Sequence, residues 1–327
     1  MNQTPQMHQV ATELPEYDHY FTPYYADKLL DLARRLGLAE FTVMGYGHSD
    51  RCLAYLNRYG LKTDLRGRRH RYDLVVTCSD LIVPSNISHS RVVLVQEGMT
   101  DPETVLYHIV KRVRILPRWL ASTAATGLSD QYDRFCVASA GYRDMFIRRG
   151  VKPHKIVVTG IPNFDNCRTF LANHFPHRGY VLVCTSDTRE TFKRDDRKKL
   201  VRKALRIAAG RQLIFKLHPN ERVERSTAEI LKHAPGALIY SSGSAEEMIA
   251  NCNVLITQYS STAYVGLALG KEVHSCFDVG ELKRLMPIQN GSAARNIANV
   301  CHNLMEGLPV AEPYVASEAR ASFSASG

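Results

Sequence analysis

What is scarce in these 327 residues narrows the field before any motif is considered. Tryptophan occurs once, as Trp119, and no nucleic-acid-binding module accompanies the basic residues, so no nucleic-acid partner is expected. No apolar run approaches the roughly 20 residues that a helix needs to cross a bilayer. The longest, such as Val254–Thr257 and Arg91–Val95 with their flanks, are the size of strands. The segment Met1–Glu16 is polar and lacks the charged-then-apolar pattern of a secretion leader, which points to the cytoplasm. The eight cysteines form no C-x-x-C pair, and several sit inside apolar runs, where a thiol acts as a small hydrophobe. A zinc staple is therefore not expected, and reduced thiols suit the same compartment. A D-x-D motif is missing too, so neither a metal nor any other resident cofactor is anticipated.

What is present is an ordinary globular composition, 45% hydrophobic and 23% charged, able to bury a core without staples. At roughly 150 residues per domain the length suggests two domains. Lysine and arginine number 42 against 32 acids, a net charge of +10. Short β-branched runs alternate with amphipathic stretches. The runs are Tyr72–Cys78, Arg91–Val95, Phe135–Ser139 and Lys155–Gly160, then Tyr180–Cys184, Gln212–Leu217, Ala237–Tyr240, Asn253–Thr257 and Glu272–Ser275. Runs of this kind, rather than strict alternation, mark strands covered on both faces. Between them lie helices at Ala26–Leu36, Gly141–Arg149 (closed by Gly150), Asp195–Ala209 and Ala293–Leu304, and one opening at Pro102 with Asp101 as a candidate cap. The fold class is α/β, with two doubly wound Rossmann-like domains facing a cleft. The Asn- and Pro-rich junction Ile161–Arg178 separates a first domain, 1–165, from a second, 176–291. Residues 292–327 form a helix and a tail expected to fray.

Two turns in the second domain carry the most chemistry. In Lys216-Leu217-His218-Pro219-Asn220 a strand ends, Pro219 fixes the backbone, and His218 stands at the strand's carboxyl end, able to donate to a phosphate oxygen. Taken alone it is an ordinary His-Pro turn. In Thr257-Gln258-Tyr259-Ser260-Ser261-Thr262, hydroxyls occupy a strand-to-helix turn, where they cap the helix or, with its free N–H groups, bind an anion. Two phosphate-suited turns at the carboxyl ends of strands in one domain favour a phosphate site.

These residues carry a resemblance. The C-terminal half looks like the donor domain of GT-B glycosyltransferases. Bacterial capsule and lipopolysaccharide enzymes related to sialyltransferases and Kdo transferases have an HP motif followed by an SS motif, matched here by His218-Pro219 and Ser260-Ser261. CDP-glycerol glycerophosphotransferases have similar turns. Asn253–Val273 and Phe135–Asn163 are similar to stretches of UDP-GlcNAc 2-epimerases. The resemblance implies a donor domain in which His218, Ser260 and Ser261 contact the phosphate of a CMP-linked or similar donor, and an acceptor-side first domain. Two departures matter. Thr262–Leu269 has no acid to grip a UDP-sugar's ribose, and Ser260-Ser261-Thr262-Ala263 stands where the epimerases have Gly-Gly followed by acids.

In the first domain a strand ends at Gln96-Glu97-Gly98-Met99-Thr100-Asp101. Glycosyl transfer needs a carboxylate to take a proton or to attack the anomeric carbon. Glu97, free of any capping duty, is the preferred candidate, with Asp101 second. Gly45 and Gly47, after Phe41–Val43, would let backbone approach a ligand or simply make a tight turn. Thr185 and Ser186 end the second domain's first strand, and the resemblance to GT-B folds implies that this turn lies under the phosphates. Lys216 adds a nearby charge. Of the basic runs, Arg194–Arg206 reads as a solvated helix face, and Leu106–Leu120 as an amphipathic helix suited to an anionic membrane surface. The expected protein is a cytoplasmic glycosyltransferase of surface-polysaccharide synthesis, with peripheral contact at the inner face of the membrane as a secondary expectation. Its partners would be a nucleotide-activated sugar and a glycan or lipid-linked acceptor. Alternatives are a CDP-glycerol-type phosphotransferase, a UDP-GlcNAc 2-epimerase-like enzyme, or a non-catalytic nucleotide-sugar-binding protein.

Overall fold

A computed structural model describes residues 3–23, 46–87, 89–113, 116–186 and 196–310. The helix expected at 26–36, the segment 41–43, Gly45 and the tail 311–327 lie outside the described residues. The strands are β1 (Leu74–Thr77), β2 (Arg91–Val95), β3 (Arg134–Val137), β4 (Ile156–Val158), β5 (Val181–Cys184), β6 (Leu213–Lys216), β7 (Leu238–Tyr240), β8 (Val254–Thr257) and β9 (Glu272–His274). The helices begin with α1 (Gln3–Thr12), α2 (Tyr46–Arg58), α3 (Val105–Arg112), α4 (Ala140–Arg149) and α5 (Arg197–Ala208). They continue with α6 (Val223–His233), α7 (Ala245–Asn251), α8 (Thr262–Ala268), α9 (Val279–Arg284) and α10 (Ala293–Met305). Among the described residues no helix is long and apolar enough to cross a membrane.

The chain divides into two compact units, 1–165 with 290–327, and 166–289. The first holds a four-stranded sheet in the order β1-β2-β3-β4 and the second a five-stranded sheet in the order β7-β6-β5-β8-β9. Every pairing is parallel. This is the α/β architecture that β-branched runs alternating with helices dictate. In the second unit β5, β6 and β8 are buried along their whole length, because helices cover both faces. In the first, the described strands run in simple sequence order, and only the second sheet reverses direction within itself.

Both ends of the described chain return to the first sheet. Val10 of α1, Leu14 just after it, and Ile297, Ala298 and Cys301 of α10 pack on Val93, Val95, Cys136 and Val157. Residues 293–305 are therefore part of the first unit's core rather than a separate appendage. Asp165, the last residue before the chain enters the second unit, caps this returning helix. Its carboxylate accepts from the N–H of Gly291 at 3.0 Å and of Ala293 at 2.7 Å. The Asn- and Pro-rich junction thus splits between the units at Asp165.

Three local expectations change. Asp101 does not cap the helix after Pro102. That helix starts at Val105 and is capped by Thr104, whose hydroxyl accepts from Tyr107 N–H. Leu106–Leu120 is not one helix, because α3 stops at Arg112 and a 3-10 run, Arg118–Ala125, follows Pro117. Gly47 lies in the first turn of α2 instead of a tight loop. The helix end at Gly150 is as expected: its φ of 103° is the left-handed conformation that glycine adopts without strain.

One glycine sets how closely α8 approaches its sheet. A Cβ on Gly266 would lie 2.8 Å from Leu255 Cδ2 and 2.9 Å from Val273 Cγ2. Gly266→Ala is therefore expected to destabilise the protein by about 1–3 kcal/mol despite alanine's better helix propensity. Urea unfolding checks this as a lower midpoint at unchanged slope.

Candidate functional site

Strand order decides where a ligand can sit in the second unit. The chain runs outward from β5 through β6 to β7, then returns to β8 on the other side of β5. The β5–β8 boundary is thus a topological switch point, where the outgoing loops diverge and leave a crevice at the carboxyl ends. The predicted turns lie along this edge of the sheet. His218 follows β6, Thr185-Ser186 follows β5 and Gln258–Thr262 follows β8, with Cys184 registered between Lys216 and Thr257. The His-Pro and Ser-Ser turns are not on adjacent strands. They flank β5, which puts Thr185 and Ser186 between them. Ser186 Oγ donates to Gln258 Oε1 at 2.7 Å, a bond that crosses the switch point.

The His-Pro turn is fixed from below by Glu221, a residue the sequence did not single out. Its carboxylate accepts from Thr185 Oγ1, from the His218 N–H at 3.2 Å, from Ser226 Oγ at 2.8 Å and from Arg197 Nη2 at 2.8 Å. The Arg197 and Glu221 side chains are 2% and 0% exposed. Arg194–Arg206 is therefore not a uniformly solvated face. Arg197, in the first turn of α5, points inward, while Lys198, Lys199, Arg202 and Arg206 remain outside. Burying such a pair is costly, and it persists because each carboxylate oxygen has further donors.

The same turn orients the imidazole. Asn220 N–H donates to His218 Nδ1 at 3.2 Å. The tautomer assigned from this bond carries its proton on Nε2. His218 is half-buried, and Pro219 and Asn220 are exposed. Lys216 does not extend to the turn as a charge. It is buried, and its ammonium donates to the carbonyls of Leu217 at 3.1 Å and Ser241 at 3.4 Å. Burial lowers its pKa below the ordinary lysine value.

The Ser-Ser turn differs in detail from expectation. Ser260, not Ser261, makes the capping contact: Thr262 N–H donates to Ser260 Oγ at 3.3 Å, and the two hydroxyls lie 2.9 Å apart. Ser261 makes no side-chain cap bond. The N–H groups of Ala263 and Tyr264 bond to the carbonyls of Ser260 and Ser261. The first N–H groups of α8 are thus already used, and what the turn offers an anion is its hydroxyls.

In the first unit, Gln96 is a brace. It is buried, donates to Gly98 C=O at 2.7 Å and accepts from Ala138 N–H at 2.9 Å. Gly98 lets the turn run close to Phe164, whose ring would meet a Cβ there at 3.4 Å. Asp101 is engaged by Ser122 Oγ at 2.6 Å and Thr123 Oγ1 at 2.7 Å, so it ties two loops together. Glu97 is half-buried, and its Oε2 accepts from Gln3 Nε2 at 2.7 Å. Here too sequence reasoning missed the supports. Gln6, fully buried on α1, donates to Gln96 C=O at 3.0 Å and accepts from Asn163 Nδ2 at 2.7 Å. Asn163 also donates to Glu97 C=O at 2.9 Å. The available signal was the i, i+3 pair of glutamines in a polar segment read only for its lack of a leader.

No protein-family model matches the chain, and no curated protein matches it in sequence. Solved structures share its fold. The Staphylococcus aureus MnaA–UDP co-structure is similar over 95% of this chain and 96% of its own, at 10% identity and a TM-score of 0.56. The Methanocaldococcus jannaschii UDP-GlcNAc 2-epimerase in complex with UDP-GlcNAc and UDP is similar over 92% and 96%, at 13% identity and a TM-score of 0.54. The wall teichoic acid polymerase TagF is similar over 93% and 86%, at 11% identity and a TM-score of 0.51. The chain therefore has the two-domain, Rossmann-like GT-B fold that the resemblance implied.

Two outcomes test the supports of the site. Arg197→Met strands the Glu221 carboxylate and is expected to cost about 3–5 kcal/mol in denaturant unfolding, with partial recovery in Arg197→Met/Glu221→Gln. For Lys216 the lowered pKa means that the unfolded chain holds the proton more tightly, so wild-type stability rises with pH on the approach to 10.5. Lys216→Met should melt higher than wild type near neutral pH. The gap should close as pH nears 10.5.

Proposed function

We propose that this GT-B-fold chain is a nucleotide-sugar-dependent glycosyltransferase, with a CMP-linked donor and a surface-glycan or lipid-linked acceptor. The observation that supports this is that His218, Thr185-Ser186 and Ser260-Ser261 follow three neighbouring strands, β6, β5 and β8, at their carboxyl ends, beside the switch point of the second sheet. In the proposed reaction an acceptor hydroxyl attacks the anomeric carbon. The bond from that carbon to the donor phosphate oxygen breaks, and the oxygen leaves with the electron pair. His218 Nε2–H and the serine hydroxyls stabilise the charge that grows on the phosphate, from a turn already held rigid by Glu221. Glu97, whose Oε2 is held by Gln3, takes the acceptor proton. No step of this scheme uses a metal. The reaction would run in the cytoplasm.

The same turns would serve a CDP-glycerol-type phosphotransfer, in which the acceptor attacks phosphorus. Solved neighbours that bind UDP keep an epimerase in view. Favouring transfer over epimerisation, the Ser260–Ala263 turn holds hydroxyls and no acid.

Thermal-shift titration with CMP, CDP, UDP and GDP separates these readings. A ligand at a hundredfold excess over its Kd adds about 2.7 kcal/mol of stability. A CMP preference that weakens in His218→Ala is expected, whereas a UDP preference would move the assignment to the epimerase. With the donor identified, Glu97→Gln should lower turnover roughly 10²–10⁴-fold while sparing nucleotide binding. Unchanged turnover would remove Glu97 as the base.

A further inference from the structure

Five of the fourteen large apolar side chains that are exposed among the described residues fall within the fifteen residues from Val105 to Trp119. Val105 is 78% exposed, Ile109 45%, Trp119 44%, and Leu106 and Val113 43% each. On α3, at about 100° per residue, Val105, Leu106, Ile109 and the flanking Val113 fall within one arc of about 100°. They are not what holds the helix in place. Tyr107 and Val110 do that, packed with Ala121, Ala124 and Ala125 of the following 3-10 run. The helix thus has an anchored face and an apolar face left to solvent, with Trp119 exposed on the run it packs against.

Charge indicates what covers the open face. Arg112 borders the apolar arc, and Lys111 lies about 100° further round, beyond His108 and over the Tyr107 ring, with both cations exposed. The acid that precedes the helix, Glu103, is paired with Arg149 at 3.1 Å. An apolar stripe with an exposed indole, bordered by Arg112 and flanked by Lys111, on a chain of net charge +10, fits a surface that is apolar within and anionic at its rim. We infer that the face formed by Val105, Leu106, Ile109, Val113 and Trp119 docks the first unit on an anionic lipid surface, with Lys111 and Arg112 at the headgroups. The inference goes beyond the proposed transfer reaction and needs no donor, so a failed nucleotide assignment leaves it standing.

Because Trp119 is the chain's sole tryptophan, its emission reports on this face alone. The full chain is titrated with phosphatidylglycerol–phosphatidylcholine vesicles, with and without brominated acyl chains, and with phosphatidylcholine vesicles. Expected with the anionic vesicles are a blue shift, quenching by the brominated chains and co-flotation, all lost in high salt. Lys111→Gln/Arg112→Gln should weaken partitioning roughly thirtyfold at about 1 kcal/mol per cation. Val105→Ser/Ile109→Ser should weaken it as well, with the far-ultraviolet circular dichroism unchanged. Absence of co-flotation overturns the inference, as does co-flotation with Trp119 emission unmoved, since another surface would then be binding. Self-association that is abolished by Ile109→Asp, without vesicle binding, also overturns it and assigns the face to a second copy.

Discussion

The second unit's site depends on one buried ion pair. Arg197 and Glu221 meet at 2.8 Å with almost no solvent contact, an arrangement that loses hydration on both sides. It is tolerable because Glu221 is saturated: a backbone N–H, two hydroxyls and a guanidinium converge on its two oxygens. That saturation has a geometric result. The His218 backbone, the Thr185 hydroxyl after β5 and the first turn of α5 share one carboxylate, so three segments far apart in sequence are locked at the carboxyl ends of adjacent strands. A hydrophobic pair of equal volume would fill the space but would not fix the direction of the His218 N–H. The pair thus supplies position more than stability.

Rigidity there matters for the chemistry proposed. A growing phosphate charge is stabilised best by dipoles that need not reorganise. The imidazole meets that condition through the Asn220 N–H on Nδ1, which leaves Nε2–H as the donor. Lys216, whose charge would be the obvious attraction for a phosphate, is instead committed to two backbone carbonyls and held at a lowered pKa by burial. What the turns present is hydroxyls and one imidazole N–H, whose effect on a phosphate would come from placement.

How far the sequence discloses all this follows from the range of each interaction. The strands were legible because β-branched runs such as Val181–Cys184 and Val254–Thr257 mark double-sided burial locally. The turns were legible because proline and serine pairs at strand ends carry their own stereochemistry. The order β7-β6-β5-β8-β9 was not, since no local feature says that β8 returns to the far side of β5. Arg197 was hidden by its company: within a lysine- and arginine-rich stretch, one inward arginine looks like its outward neighbours. Asp101 was misread for a related reason. Pro102 suits a first helical turn, but Ser122 and Thr123 compete for the Asp101 carboxylate, and Thr104 is left to cap α3.

The first unit repeats the principle with amides in place of charges. The turn after β2 carries Glu97, and its carbonyl and its carboxylate are held separately, by Asn163 and by Gln3. Gln6 joins these supports by bonding both Asn163 and the Gln96 carbonyl while fully buried. Neutral amides suit this place, because a cation set against Glu97 would hold its carboxylate ionised and make it a poorer proton acceptor. An amide orients the same oxygen without that penalty. Glu221, which fixes the His218 turn, thus has an arginine, and Glu97, the carboxylate proposed to accept a proton, has a glutamine. The difference in partner matches the difference between a structural carboxylate and the proposed base.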